Sequence, residues 1–142
     1  MNRLRLHEAF QQPPVRLVRI LADGFLVEGR PLTHLTGRIT RTRLLRKRFE
    51  AGALVCDSPD GIVARNGTVC EACRHPDCRP WLRVHLATTD DVYLIDLAVV
   101  SARNLLALEE AAAHQEEDLS RWSLRLTVVN RGRWGEVRFE RC

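Results

Sequence analysis

Cys56, Cys70, Cys73 and Cys78 lie within a 23-residue stretch, with 13, 2 and 4 residues between successive members. Four thiolates can close a tetrahedral shell around zinc, with each sulfur about 2.3 Å from the ion, and short C-x2-4-C pairs let two ligands on one turn reach the same metal. Cys70-Glu-Ala-Cys73 is such a pair, while Cys56 approaches alone and Cys78 closes the site from the far side. Asp57-Ser58-Pro59-Asp60-Gly61 and Asn66-Gly67 surround the ligands with turn formers. The segment has too few apolar residues to order itself, and a bound metal would supply the missing folding energy. The reading is structural zinc, with His75 as the second choice for a ligand. An iron–sulfur cluster, a redox C-x-x-C and disulfides or free thiols remain alternatives. A catalytic zinc would need an open position and a nearby general base; four thiolates leave no vacancy, and the chain has no H-x-E, H-E-x-x-H, G-x-S-x-G or phosphate-binding glycine loop. The expectation is a protein that is not an enzyme, with Cys142 left unpaired.

The elements that must hold this loop read mostly as strands. VRLVRIL (15–21) is β-branched and apolar, Ala22-Asp23-Gly24 turns, and FLVEG resumes an extended segment. In LTGRITRTRLLRKRF (35–49) the threonines and Ile39 favour one long strand over a helix. WLRVHLA alternates, with Leu82, Val84 and Leu86 on one side and Trp81, Arg83 and His85 on the other. TTDD turns into VYLIDLAVV (92–100), apolar on both faces and therefore central. Ser101 reads as the N-cap of ARNLLALEEAAAHQ, whose Leu105, Leu108 and Ala112 form an apolar stripe. A closing hairpin follows, WSLRLTVVN and then RWGEVRFE, which puts Val137 and Phe139 on one side. The fold expected is mainly β: a small OB-like antiparallel barrel with one helix and an inserted zinc-binding loop, since closure removes exposed edges. Residues 1–14 form an N-terminal arm, and residues 15–142 a single domain with its cysteine-rich zinc loop at 50–80.

At 142 residues the chain is long enough for one core. It has neither an apolar run of membrane-spanning length nor a secretory pattern in MNRLRLHEAFQQPP, so a reducing cytoplasm and no membrane partner are expected. The net charge of +4 is uneven. Residues 1–48 carry eleven basic and three acidic side chains, residues 49–101 four and eight, and residues 102–142 seven of each. Arg38, Arg41, Arg43, Arg46, Lys47 and Arg48 are suited to neutralising phosphates, with Arg83 beside them. Phe49, Trp81, Trp122 and Trp134 offer stacking platforms. For any one arginine taken alone, a solvated surface is the favoured explanation. Together with the charge asymmetry they point to nucleic acid, and the nucleic-acid-binding set is Arg38, Arg41, Arg43, Arg46, Lys47, Arg48, Trp81, Arg83 and Trp134.

The succession LTGRITRTRLLRKRF, CDSPDG, C-x-x-C, CRP and WLRVHLATTDDVYLIDLAVVSARNLLALE resembles the zinc-containing OB-fold single-stranded-DNA-binding proteins of phages and mobile elements, over about residues 30–140. The resemblance implies a five-stranded barrel with a cysteine-rich loop between early strands and a helix between the third and fourth. It also implies single-strand binding in replication, recombination or mobile-element maintenance. By position it carries metal ligation onto Cys56, Cys70, Cys73 and Cys78, and strand contact onto Arg41, Arg43 and Trp81. The partner expected is single-stranded nucleic acid, DNA before RNA, with protein partners or self-association besides. The competing reading is a zinc-stabilised protein-interaction module whose arginines are ordinary exposed charge; a duplex or RNA binder is a third.

Overall fold

β-Branched and alternating segments build more than half of the described residues. The computed structural model describes residues 14–50, 53–58 and 78–142, with the backbone alone over 48–58. In chain order the strands are β1 (Val15–Leu21), β2 (Gly24–Val27), β3 (Arg30–Leu32), β4 (His34–Glu50), β5 (Ala53–Ser58), β6 (Arg79–Ala87) and β7 (Val92–Leu97). Helix α1 (Val99–His114) and a 3-10 turn (Leu119–Arg121) lead to β8 (Leu124–Asn130) and β9 (Gly135–Arg141). Hydrogen bonding orders the sheet β3-β2-β1-β7-β6-β4-β8-β9, with β5 also on β4, and the whole curls into a half-barrel. Among the described residues, no helix is long and apolar enough to cross a membrane.

Strand β4 makes the curl possible. Its first residues, His34–Gly37, pair with β8, and Arg38–Lys47 pair with β6. Gly37 stands at the handover: a Cβ there would fall 2.5 Å from the Ala87 carbonyl oxygen, so only hydrogen lets the backbones approach this closely. Inside the curl, Phe25, Val84, Leu86, Ile95, Leu97, Leu124, Leu126 and Val137 are fully buried. Each such side chain contributes about 1.5–3 kcal/mol of apolar transfer free energy. Helix α1 packs on this core through Leu105 and Ala112, with Leu108 partly buried, as its stripe predicts.

Two expectations change. Strand β7 ends at Leu97, and the helix begins at Val99 with Ala98 as its N-cap. Ser101 therefore lies inside the first turn and caps nothing. It is buried, and its hydroxyl accepts a hydrogen bond from the Val137 amide on β9 at 2.9 Å, pairing a strand N–H that burial would otherwise leave costly. That tertiary contact outweighs the poor helix propensity of Val99 and Val100. The sheet is also not wholly antiparallel, because β1 pairs with β7 in parallel, Val15 opposite Val92 through Val18 opposite Ile95. The two strands are far apart in sequence, so no hairpin dictates their direction. β7 is central, as its apolar faces predict.

Candidate nucleic-acid interface

Residues directly opposite one another on paired strands share a face, so the register fixes which side chains meet on the outside of the curl. From β4 and β6 these are Arg38 with Ala87, Arg41 with His85 and Arg43 with Arg83; Leu45 and Trp81 continue the row, but Leu45 is fully buried there. Strand β7 adds Leu94 beside His85 and Asp96 beside Arg83, and β1 adds Val15, Leu17 and Arg19.

Strict alternation along β4 would have put Arg41 and Arg43 on the same side as Ile39, which is core. A β-bulge prevents this. Ile39 pairs with Leu86 and Arg41 with His85, so Thr40 is an extra residue with no partner of its own. The bulge shifts the phase of the strand by one, and Arg41 and Arg43 come round to join Arg38 outside. Arg38 and Arg41 are exposed and Arg43 is half-buried.

Among the described residues, Arg38, Arg41 and Arg43 make no ion pair; other cations of the expected set are held. The Arg83 guanidinium donates to both oxygens of Asp96, at 2.8 and 3.0 Å, and the Lys47 ammonium donates to Asp96 Oδ2. Lys47 also lies 5.3 Å from the centre of the Trp81 ring, within cation–π range. Arg46 falls on the opposite side of β4, and its guanidinium donates to the Cys78 carbonyl at 2.7 Å. Arg48 is placed in the backbone opposite Cys56, with its side chain outside the described residues, as is that of Phe49. Burial works to raise the Asp96 carboxyl, but hydrogen bonds and charge from Arg83 and Lys47 prevail and hold it below the usual aspartate value. His85 is pushed down, first by burial and then by Arg41, Arg83 and Arg43, so the ring is biased toward its neutral form.

Trp134 is 45% exposed at the β8–β9 turn. Together with Trp81 it lines a cleft of about 390 Å³, whose other polar lining is Arg19, Asp96, Ser101 and Arg133. Arg131 is tied back to Glu136, leaving Arg133 as the cation of the turn without an ion pair among the described residues. Trp122 takes no part. It is 5% exposed, its indole N–H donates to Glu117, and the Arg141 guanidinium lies 4.1 Å from the ring centre. The expected platform is a core side chain, because position 122 closes the base of the curl ahead of β8. Arg19, Asp96 and Arg133 are additions to the expected set. Only Asp96 carried a signal, a carboxylate interrupting the apolar run VYLIDL.

Of the expected metal ligands, Cys70, Cys73 and the reserve His75 lie outside the described residues. Cys78 is buried immediately before β6 and Cys142 is exposed; neither is in a disulfide among the described residues. The backbone of Cys56 pairs with Arg48, while Arg79, next to Cys78, pairs with Lys47. The first and last cysteines of the loop thus flank the same stretch of β4, one strand to either side. Among the described residues, no three His, Cys, Asp or Glu side chains gather. The chain matches no family model, curated protein or solved structure.

Proposed function

We propose that this protein binds single-stranded nucleic acid, DNA in the first instance, across the outer face of β4, β6 and β7. The observation that carries the reading is the Thr40 bulge, which gathers Arg38, Arg41 and Arg43 beside Arg83 and His85 on one sheet face. Unpaired cations on a strand face, next to an exposed tryptophan, are the two ingredients of single-strand binding, phosphate neutralisation and base stacking.

The scaffold reading is an OB-like barrel. In sequence β4, β6, β7, α1, β8 and β9 follow one another, and in space the strands run β7-β6-β4-β8-β9, with the long first strand shared between both halves. This supports a five-stranded OB arrangement with a helix between the third and fourth strands. Oligonucleotides are bound on such barrels by the face of strands 2 and 3 and by the loops after strands 1 and 4. Here those are β6 and β7, the cysteine-rich loop, and the turn bearing Arg133 and Trp134. The resemblance to zinc-containing single-strand binders rests on the same order. The metal reading is structural zinc held by Cys56, Cys70, Cys73 and Cys78, and the flanking positions of Cys56 and Cys78 fit a loop pinned at its two ends. Bound there, zinc would supply folding energy to a segment poor in apolar residues.

Val15 and Leu17 favour a second reading. They are 59% and 70% exposed on the same face, and apolar groups beside a basic row also suit a protein partner.

Fluorescence anisotropy with a labelled 25-nucleotide single strand, titrated from 50 to 200 mM salt and competed with duplex, tests the proposal. Three phosphates neutralised by Arg38, Arg41 and Arg43 give a log–log slope of about −2 and a loss of affinity of about 20-fold over that range. Arg41→Glu with Arg43→Glu should weaken binding at unchanged melting temperature. Absence of binding at 50 mM salt would refute the reading and leave the protein-interaction module.

A further inference from the structure

The cleft between Trp81 and Trp134 draws on β1, the β6–β7 hairpin, the start of α1 and the β8–β9 turn, parts of the chain with no local reason to meet. The approach of the turn to β1 is built into the backbone. A Cβ on Gly135 would fall 2.2 Å from the Leu21 carbonyl oxygen and 2.4 Å from Val128 Cγ1, so hydrogen at this position lets the hairpin close against β1. Lys47 covers the Trp81 ring at 5.3 Å, while Trp134 stays almost half exposed. Arg19 and Arg133 line the cleft without ion pairs among the described residues, whereas Asp96, which also lines it, already accepts from Arg83 and Lys47. The cleft therefore pairs aromatic surface with cations that have no ion-pair partner among the described residues, and its volume of about 390 Å³ sits toward the lower end of the range for small-molecule sites.

We propose that this cleft is a nucleobase subsite that takes one unpaired nucleotide, its ring stacked on the Trp134 indole and its flanking phosphates on Arg19 and Arg133. This deepens the single-strand reading and rests on it. A base inside a duplex is stacked between its neighbours and hydrogen-bonded to its partner, so it cannot enter without being flipped out. The cleft makes the preference for single strands a matter of shape, which the basic face alone does not. Because both oxygens of Asp96 are already engaged by Arg83 and Lys47, this carboxylate is not free to single out one base edge, and recognition falls to stacking, which tolerates every base.

The test compares a 15-nucleotide thymidine strand with an abasic phosphodiester of equal length and charge, against the native protein, Trp134→Ala and Trp134→Phe. Trp134 is exposed at a turn, so its removal leaves the core intact, and circular dichroism checks this. The expected result is tighter binding of the base-bearing strand, by roughly 5- to 100-fold, at the same salt slope as the abasic one. Trp134→Ala should remove the difference and Trp134→Phe restore part of it. Equal affinity for the two strands, or a difference that survives Trp134→Ala, would overturn the subsite while leaving the basic face standing. Binding of neither strand at 50 mM salt would overturn both.

Discussion

Asp96→Asn is the most informative single substitution, because Asp96 holds two cations of the proposed interface at once. The three side chains are 11–20% exposed, so solvent screens them only in part. Removing the charge while keeping the shape leaves an oxygen to accept from Arg83 but no anion for Lys47. Charged hydrogen bonds of this kind are worth about 1.5–3 kcal/mol each, and the net loss of stability should be about 1–3 kcal/mol. The pH dependence has a definite sign. The Asp96 carboxyl is held below its ordinary 3.8 in the folded state, so its contribution is complete above that value and is lost as pH falls through the depressed one. Asp96→Asn should therefore melt lower at pH 7 and lose part of the native protein's acid-induced decline. Binding should move the opposite way. One or two cations turned from Asp96 to phosphates steepen the salt slope by about 0.7 or 1.4. Between 50 and 200 mM salt the ratio of variant to native affinity should then fall about 3- to 7-fold. Thermal melts from pH 2.5 to 7 and anisotropy titrations at four salt concentrations measure both effects. A folded variant with an unchanged slope would refute the argument, since Arg83 and Lys47 would then serve the fold and not the strand.

Three further outcomes follow from the same geometry. Gly135→Ala sets a methyl against the Leu21 carbonyl, a backbone atom that cannot rotate away; it should cost about 1–3 kcal/mol, lower Tm by about 3–9 °C and weaken the preference for base-bearing over abasic strands. His85 is held below its ordinary 6.5 by burial and by Arg41, Arg83 and Arg43. The unfolded chain thus binds the proton more readily, native stability should fall as pH drops below about 6.5, and His85→Gln should flatten that fall in melts taken between pH 7.5 and 5. On the proposed structural-zinc reading the native protein should carry one zinc per chain, and Cys73→Ser should lower that content and expose the loop to protease, with chelation of the native protein mimicking it; unchanged zinc by mass spectrometry would rule out Cys73 as a ligand.

What could be read in advance depended on how local the cause was. Leu82, Val84 and Leu86 announce β6 because alternation is written into consecutive residues, and Leu105, Leu108 and Ala112 announce α1 for the same reason. The length of β4 follows from its threonines and Ile39. The Thr40 bulge has no such mark: GRITRTR alternates smoothly, and only the pairing with β6 reveals which residue is surplus. The parallel union of β1 with β7 is set by which edge is open in the curled sheet, a property of the whole sheet. Ser101 has the composition of a cap, but the unpaired Val137 amide that claims it lies 36 residues away. The burial of Trp122 and the assembly of the Trp81–Trp134 cleft likewise depend on where distant strands come to rest. Of the candidate site, Arg41, Arg43, Arg83, Trp81 and Trp134 were legible as residue types in strands and turns, whereas Arg19, Arg133 and the pairing role of Asp96 emerged only from tertiary placement.

The single surplus residue in β4 has a bearing on how this chain tolerates change in length. The facing of a strand is a matter of odd and even, and Thr40 is the one count that sets arginines outward beyond a core residue pointing inward. Deleting Thr40 would dissolve the bulge and leave Ile39 opposite Leu86, Arg41 opposite His85 and Arg43 opposite Arg83 as before, whereas deleting Thr40 and Arg41 together leaves no surplus to draw on and exchanges the two sides of the strand beyond, driving the Arg43 guanidinium toward the interior. Loss of the one surplus residue should therefore be far milder than loss of two. Melting temperatures of the two deletion variants would show that difference, the imprint of a strand counted from its bulge.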